Sequence, residues 1–129
     1  MTNRRVVVTG LGLITPLGIG VDSSWKNILN GISGITNITK FDASDFKSQV
    51  AGEVKNFDPD AYLNSKDSRR MDTFIQFGLV AGIEAIKDSG IEVTEENSER
   101  IGVSIGSGIG GINQIETTSD AFDQGGPRK

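Results

Sequence analysis

Two short apolar runs rich in β-branched residues differ from the rest of the chain because neither alternates regularly with polar positions. Residues 4–10 read RRVVVTG, and residues 100–106 read RIGVSIG. A non-alternating apolar run that is bounded by glycine is typical of a strand covered on both faces. The pattern therefore predicts two buried strands, and a glycine-rich turn follows each of them.

A long amphipathic helix is predicted over residues 67–89. Its apolar face is formed by Met71, Phe74, Ile75, Gly78, Leu79, Gly82, Ile83 and Ile86. These positions advance by steps of three and one, which places them on one side of a helix. Because glycine in a helix interior costs about 1 kcal/mol relative to alanine, we expect Gly78 and Gly82 to let another backbone pack closely. Gly90 is the expected C-terminal stop.

Shorter elements complete the pattern. Asp22 or Ser23 is suited to cap a helix that runs to residue 29 and stops at Gly31. A weak strand is predicted near residues 49–55, and a helix over residues 112–122. Strands that alternate with helices indicate an α/β layer architecture. A sheet of so few strands would leave an apolar edge unpaired, so we expect the chain to be part of a longer protein.

Composition narrows the chemistry that the chain can carry. Its 129 residues include no cysteine and no histidine, which excludes a thiolate nucleophile, disulfides, Cys/His zinc sites and imidazole acid–base catalysis. The net charge of −4 argues against a general nucleic-acid binder, which is usually basic. The sequence has neither an apolar run long enough to span a membrane nor a secretory signal. We expect a cytoplasmic protein that binds neither nucleic acid nor membrane.

A dinucleotide site is one alternative that the glycine pattern raises. Residues 106–111 read GSGIGG, which fits G-x-G-x-x-G between a predicted strand and a predicted helix. Such a site also needs an acidic residue about 20 positions later, at the end of the next strand. Gly125 and Gly126 stand there instead. The pattern therefore favours a turn that binds no nucleotide.

Several basic side chains surround the predicted start of the long helix. They are Lys66, Arg69 and Arg70. Cations there oppose the positive end of the helix dipole, by about 0.3–1 kcal/mol each. An anionic partner would compensate for this repulsion, whereas an ordinary solvated helix end with Asp67 as counter-charge would explain the same pattern. Arg128 and Lys129 form a second basic pair.

Five segments, taken together, resemble one family. They are residues 4–12 (RRVVVTGLG), 15–18 (TPLG), 70–76 (RMDTFIQ), 105–111 (IGSGIGG) and 125–129 (GGPRK). In order and spacing they resemble the β-ketoacyl-acyl-carrier-protein synthases, and within that family the chain-elongating type II enzymes. The resemblance implies a homodimer with a thiolase-like α/β fold. Residues 1–129 would supply part of its first half, as an incomplete mixed sheet with helices.

The resemblance also implies a reaction, the decarboxylating Claisen condensation of fatty-acid biosynthesis. In that reaction a cysteine thiolate accepts an acyl group from acyl carrier protein, and two histidines assist condensation with malonyl-acyl-carrier-protein. This chain contains none of the three, so we expect it to be inactive by itself. The resemblance implies no cofactor, and its implied partner is acyl carrier protein. The alternative is a stand-alone, non-catalytic module that binds acyl carrier protein or acts as a scaffold.

The same resemblance implies the site residues. Ile109 matches the residue that gates or limits the acyl pocket, although such a side chain could instead cover the core. The positions that match the two basic surfaces for acyl carrier protein are Lys66, Arg69, Arg70, Arg128 and Lys129. Charge complementarity would mainly raise the encounter rate, with a strong dependence on salt. Residues 112–122 depart most from the family pattern.

Overall fold

The structure is a computed structural model that describes residues 3–128. Its strands are β1 (Ile14–Thr15), β2 (Gly18–Ile19), β3 (Ile35–Asn37) and β4 (Val50–Gly52). Its α-helices are α1 (Val21–Leu29), α2 (Ser65–Ser68), α3 (Thr73–Ser89) and α4 (Ile112–Gly125). Short 3₁₀ helices cover Pro59–Ala61, Ser98–Arg100 and Gly126–Arg128. The chain divides into two compact units, formed by residues 3–58 with 80–92 and by residues 59–79 with 93–128, so α3 contributes to both.

In the first unit, β1 and β2 form a hairpin that leads into α1. The strands are antiparallel, with Thr15 opposite Gly18. The Thr15 Oγ1 atom lies 3.0 Å from the Oγ atom of Ser24, a residue of α1 that is fully buried. This hydroxyl pair fastens α1 to the hairpin. The hydrophobic pattern does not predict these strands, because the segment reads as a glycine-rich turn.

A second antiparallel pair lies in the same unit. β3 pairs with β4 so that Thr36 is opposite Ala51. The predicted strand near residues 49–55 is therefore confirmed as β4. β3 is absent from the prediction because its sequence, Ile-Thr-Asn, offers one apolar residue among polar ones and so gives little periodic signal.

The segment that joins residue 9 to β1 lies directly on α3. A Cβ atom at Gly10 would collide with the carbonyl oxygen of Ala85, and one at Gly12 would collide with the carbonyl oxygen of Ala81. Only glycine lacks that atom, so these two positions allow backbone to lie against backbone. At these two positions, the segment therefore packs against the backbone of the second half of α3.

Two carboxylates of α3 accept hydrogen bonds from this same segment. The Leu11 N–H donates to Asp88 Oδ2 at 2.9 Å, and the Leu13 N–H donates to Glu84 Oε2 at 2.9 Å. The N–H groups of an extended segment normally donate to the neighbouring strand of a sheet. Here the acidic side chains of a helix take that role.

Glu84 also caps α1. Its Oε1 atom accepts from the N–H of Val21, the first residue of α1, at 3.0 Å. The N-cap residue, Gly20, has no side chain to do so. The expectation that Asp22 or Ser23 caps this helix is therefore wrong, because the free N–H of the first turn is satisfied from a different helix.

The two predicted buried strands are not strands in this structure. In the described part of the chain, neither residues 4–10 nor residues 100–106 pair with another strand. Val6 exposes 90% of its surface and Val103 exposes 76%. A β-branched run favours an extended backbone, but a strand also needs a second segment in register to form the ladder. The four strands that do form make two separate antiparallel pairs rather than a mixed sheet.

The long helix begins later than its apolar pattern predicts. Residues 67–89 divide into the end of α2, a turn and α3, because Asp72 starts a new helix. Its Oδ1 atom accepts from the Thr73 N–H at 2.6 Å, and its carbonyl oxygen accepts from the Ile75 N–H at 3.0 Å. The predicted stop is confirmed, since Gly90 follows α3 with a φ of +63°.

Other helix predictions have mixed outcomes. α1 ends before Gly31, whose φ of +66° suits a helix terminus, and α4 covers the helix predicted over residues 112–122. The close backbone approach predicted at Gly78 is wrong, because a Cβ atom there would meet only the side chain of Ile105, at 3.4 Å. The same expectation for Gly82 stays a prediction.

Few apolar side chains are fully covered. Among the described residues, the buried hydrophobic side chains are those of Ala43 and Val80. Hydrogen bonds and glycine contacts therefore carry much of the organisation within each unit. Across residues 3–128, the helices are too short or too polar for any of them to cross a bilayer.

The carboxylate of Glu53 organises the loop that follows β3. Glu53 is 8% exposed and accepts from the Thr39 hydroxyl at 2.7 Å, from the Thr39 N–H at 3.0 Å and from the Lys40 N–H at 3.2 Å. The hydrogen bonds from Thr39 hold the pKa of this carboxyl below its ordinary value. The ionised form is therefore the one that stabilises the folded state.

This lowered pKa predicts a pH-dependent contribution to stability. The contribution is fully present above the ordinary glutamate pKa near 4.5 and disappears as the pH falls through the lower folded value. In the longer protein that contains this chain, we expect the melting temperature of the wild type to exceed that of E53Q at pH 7, and the difference to shrink steadily below pH 4.5. E96Q, at an exposed position, serves as the control. A difference that is constant from neutral to acid pH would contradict the prediction.

Candidate functional site

The predicted basic cluster, which consists of Lys66, Arg69 and Arg70, lies on and just after α2. Lys66 belongs to the helix, Arg69 is its C-cap residue, and Arg70 follows. All three side chains are exposed. The side chain of Asn64 caps the helix by accepting from the Lys66 N–H at 2.9 Å. The cluster therefore presents three cations to solvent from a backbone that is capped in place.

A buried serine fixes the backbone beneath the basic cluster. Ser68 is 2% exposed, and its hydroxyl donates to Asp60 Oδ1 at 2.8 Å and to the Ser65 carbonyl at 3.2 Å. The side-chain amide of Gln76, in α3, donates to the Ser68 carbonyl at 2.8 Å and to the Met71 carbonyl at 3.1 Å. These bonds tie α2 to α3 and leave the charged ends of the cluster in water.

The structure corrects the electrostatic argument made for this cluster. The three cations are not in the first turn of a long helix, because α3 begins only at Thr73. Arg69 instead lies at the C-terminal end of α2, where positive charge is favourable, and a helix of four residues has only a small dipole. The repulsion predicted from the sequence is therefore absent, and the case for an anionic partner depends on the exposed charge itself.

Ile109 projects from the turn between residues 106 and 111 and exposes 74% of its surface. Ser107 stabilises this turn through its hydroxyl, which accepts from the Gly110 N–H at 3.0 Å. Gly110 has a φ of +81°, and a Cβ atom built on it would lie 3.6 Å from the ring of Phe74. In the described part of the chain, Ile109 is therefore an exposed side chain on a turn that is held by a hydrogen bond, and its place at an acyl pocket or over a core stays a prediction.

The second basic pair lies at the limit of the structure. Arg128 ends the 3₁₀ helix Gly126–Arg128, and its side chain and the whole of Lys129 lie outside the described residues. Their assignment to a carrier-protein surface stays a prediction.

The chemistry that the described residues can perform is limited. The sequence contains no cysteine or histidine, and residues 3–128 contain no group of three or more Asp or Glu side chains arranged to hold a metal ion. What the site offers is a charged surface and an exposed apolar side chain on a rigid turn. Features of this kind are suited to contact with a partner.

Sequence reasoning missed one polar residue beside this turn. Asp72 precedes α3, and its Oδ2 atom is buried without a hydrogen-bond partner among the described residues. A Cβ atom at Gly111 would fall on this carboxyl group, 2.7 Å from its Cγ atom. The signal that could have found Asp72 is an acidic residue directly before a strongly apolar helix, which is the usual N-cap pattern.

Comparison with known proteins shows the class to which the chain belongs. Residues 3–128 match the family described as "Beta-ketoacyl synthase, N-terminal domain", and the chain is a member of that family. It is 56% identical over 129 residues to the 3-oxoacyl-[acyl-carrier-protein] synthase 2 of Vibrio harveyi and 57% identical to that of Vibrio cholerae. The match covers all of this chain and 31% of each relative.

Solved structures support the same assignment. The ishigamide ketosynthase/chain length factor and a β-ketoacyl synthase from Burkholderia phymatum each align with a TM-score of 0.72 and 27% identity. Each alignment covers 95% of this chain, with 30% of the first structure and 31% of the second. The resemblance to the β-ketoacyl synthases and the thiolase-like fold class, present here in part, are thereby confirmed. The chain spans about a third of the length of these relatives.

Proposed function

We propose that this chain is the amino-terminal part of a 3-oxoacyl-acyl-carrier-protein synthase that elongates fatty acids. One observation carries the proposal, namely identity of 56–57% along the whole chain to proteins named 3-oxoacyl-[acyl-carrier-protein] synthase 2. The match extends over every residue rather than over a single glycine motif. Pairwise identity at this level along the whole chain supports a shared reaction as well as a shared fold.

The proposed reaction consists of an acyl transfer followed by a condensation. A thiolate attacks the acyl thioester, the acyl group moves to the enzyme, and the carrier leaves as a thiolate that takes up a proton from water. Malonyl-acyl-carrier-protein then loses carbon dioxide, and the enolate so formed attacks the enzyme thioester to give 3-oxoacyl-acyl-carrier-protein and free thiolate. This chain has no cysteine or histidine, so the nucleophile and its assisting groups must come from another part of the protein.

Within that reaction, the chain has two proposed roles. The basic cluster attracts and orients the acidic acyl carrier protein, supported by its exposure and by the buried hydrogen bonds beneath it. Ile109 borders the acyl pocket, supported by its place on a fixed turn. The homodimer, the cytoplasmic location and the role of Arg128 and Lys129 stay predictions from the family resemblance.

The test is a condensation assay on the protein encoded by the reading frame that contains residues 1–129. Mixed with acyl- and malonyl-acyl-carrier-protein, it should release one carbon dioxide for each 3-oxoacyl product, as measured by mass spectrometry. The isolated chain should form none. Absence of product from the longer protein would contradict the proposal. A reading frame that ends at residue 129 and a product that binds acyl carrier protein would favour the stand-alone module instead.

A further inference from the structure

One carboxylate oxygen in the second unit, Oδ2 of Asp72, has no role in the contacts described so far. The Oδ1 atom and the carbonyl oxygen of Asp72 serve the first turn of α3, where they accept from Thr73 and Ile75. Its Oδ2 atom is buried and has no hydrogen-bond partner in residues 3–128. A buried carboxylate oxygen is normally paired, because water no longer solvates its charge. The groups that surround this atom therefore determine what its charge can do.

The neighbour of this oxygen is the start of α4. A Cβ atom at Gly111 would collide with Asp72 Oδ2 and lie 2.7 Å from its Cγ atom, so the backbone of Gly111 packs directly on the carboxyl group. Gly111 is the N-cap residue of α4 and provides no side-chain cap. The first N–H groups of a helix lack partners within it and carry partial positive charge. The carboxylate of Asp72 therefore lies beside the N-terminus of α4, where a negative charge is favourable, and its Oδ2 atom accepts no hydrogen bond from the described residues.

The same contact fixes the turn that carries Ile109. On one side of Ile109 the Ser107 hydroxyl holds the Gly110 N–H at 3.0 Å, and the ring of Phe74 lies against Gly110. Phe74 stands two positions after Asp72, in the same first turn of α3. The start of α3 therefore supports the turn at two adjacent points, through an aromatic ring and through a carboxylate.

We propose that Asp72 is a positioning residue whose negative charge stabilises the N-terminus of α4 and so holds the turn in the conformation that presents Ile109. The inference rests on the proposed function, because it gives Asp72 an effect on acyl-chain length only through Ile109. Loss of the negative charge releases the N-terminus of α4, and the turn then no longer holds Ile109 at one distance from the acyl chain.

The test compares D72N with the wild type in the full-length condensing protein. The asparagine keeps the size of the side chain and one acceptor oxygen but removes the charge. We expect the ratio of kcat/KM for a long to a short acyl-acyl-carrier-protein to change by about fivefold, the effect of one charge at a helix N-terminus. A ratio is unaffected by the fraction of active protein, so a purely structural loss would leave it unchanged. D123N, which removes an exposed carboxylate from α4, is the matched control.

A second variant and a second readout complete the design. G111A places a methyl group on the Asp72 carboxyl and should shift the ratio without adding to the effect of D72N, because both act on one contact. Hydrogen exchange of the amides of residues 110–114 should be faster in D72N than in D123N. An unchanged ratio in D72N overturns the proposal, even where exchange is faster. Should the wild type condense no acyl substrate, the proposed function fails, and unchanged exchange in D72N would then overturn the effect of Asp72 on the N-terminus of α4 by itself.

Discussion

Reversal of the basic cluster in the variant K66E/R69E/R70E is expected to lower kcat/KM for a carrier-bound acyl substrate by about 100-fold at low ionic strength. All three side chains are exposed, and the bonds of Ser68 hold their backbone in place, so the substitutions change charge with little effect on packing. The proposed partner is the acidic acyl carrier protein, and like charges on the two surfaces would slow their encounter. The loss should shrink at high salt, where exposed charges are screened. Steady-state kinetics at two ionic strengths measure both effects.

A matched control separates local from overall charge. K26E/K47E/R100E makes the same change in net charge at three other exposed cations and should leave kcat/KM within about threefold of the wild type. A small acyl thioester that carries no protein should react equally well with both triple variants, because it makes no contact with the cluster. Equal losses in the two variants would show that net charge, rather than this surface, governs the encounter.

The second large effect concerns the chain by itself. Purified alone, the 129-residue chain is expected to unfold without a cooperative transition and to show no condensing activity. Ordering the backbone of each residue costs about 1–2 kcal/mol, which burial of apolar surface has to offset. Among the described residues, only Ala43 and Val80 are buried hydrophobic side chains, whereas Val6, Val7 and Val8 are 90%, 68% and 78% exposed.

Calorimetry and dye binding test this expectation. The isolated chain should give no sharp heat-capacity peak and should bind a hydrophobic dye. The longer protein should give a sharp peak and should bind little dye. A single transition with equal calorimetric and van't Hoff enthalpies would contradict the prediction. That result would favour the stand-alone module, which requires a chain that folds independently.

Local signals in the sequence were sufficient for the elements that depend on local interactions. α1 ends before Gly31, α3 ends before Gly90, and both glycines have the positive φ expected at such a terminus. α4 covers its predicted range, and β4 lies where a weak strand is predicted. In each case, the residues that specify the element lie within it or directly beside it.

The remaining elements depend on residues far away in the chain. The N–H at the start of α1 is satisfied by Glu84, 63 positions later, and nothing near α1 signals this. The predicted strands at residues 4–10 and 100–106 have the right composition, but a ladder requires a partner segment, and the described chain supplies none. The break before α3 follows from the cap at Asp72, which the apolar periodicity of residues 67–89 conceals.

The candidate site shows the same division. Lys66, Arg69 and Arg70 are where an exposed surface is predicted, and Ile109 is on the predicted turn. The dipole argument for the cluster is wrong because it assumed an unbroken helix. The contact between Asp72 and Gly111 could not be predicted, since 39 positions separate the two residues and neither belongs to a recognisable pair.

The contacts at Gly12 and Gly111 differ in whether a second substitution can make room for a larger residue. At Gly12 the atom in the way is a main-chain carbonyl oxygen of Ala81, which every amino acid possesses. No second-site suppressor in the side chains of α3 can therefore make room for a larger residue there. At Gly111 the obstacle is a side chain, so a shorter residue at position 72 would remove it. Paired selection at positions 72 and 111 should recover viable combinations, whereas selection at positions 12 and 81 should return glycine at position 12.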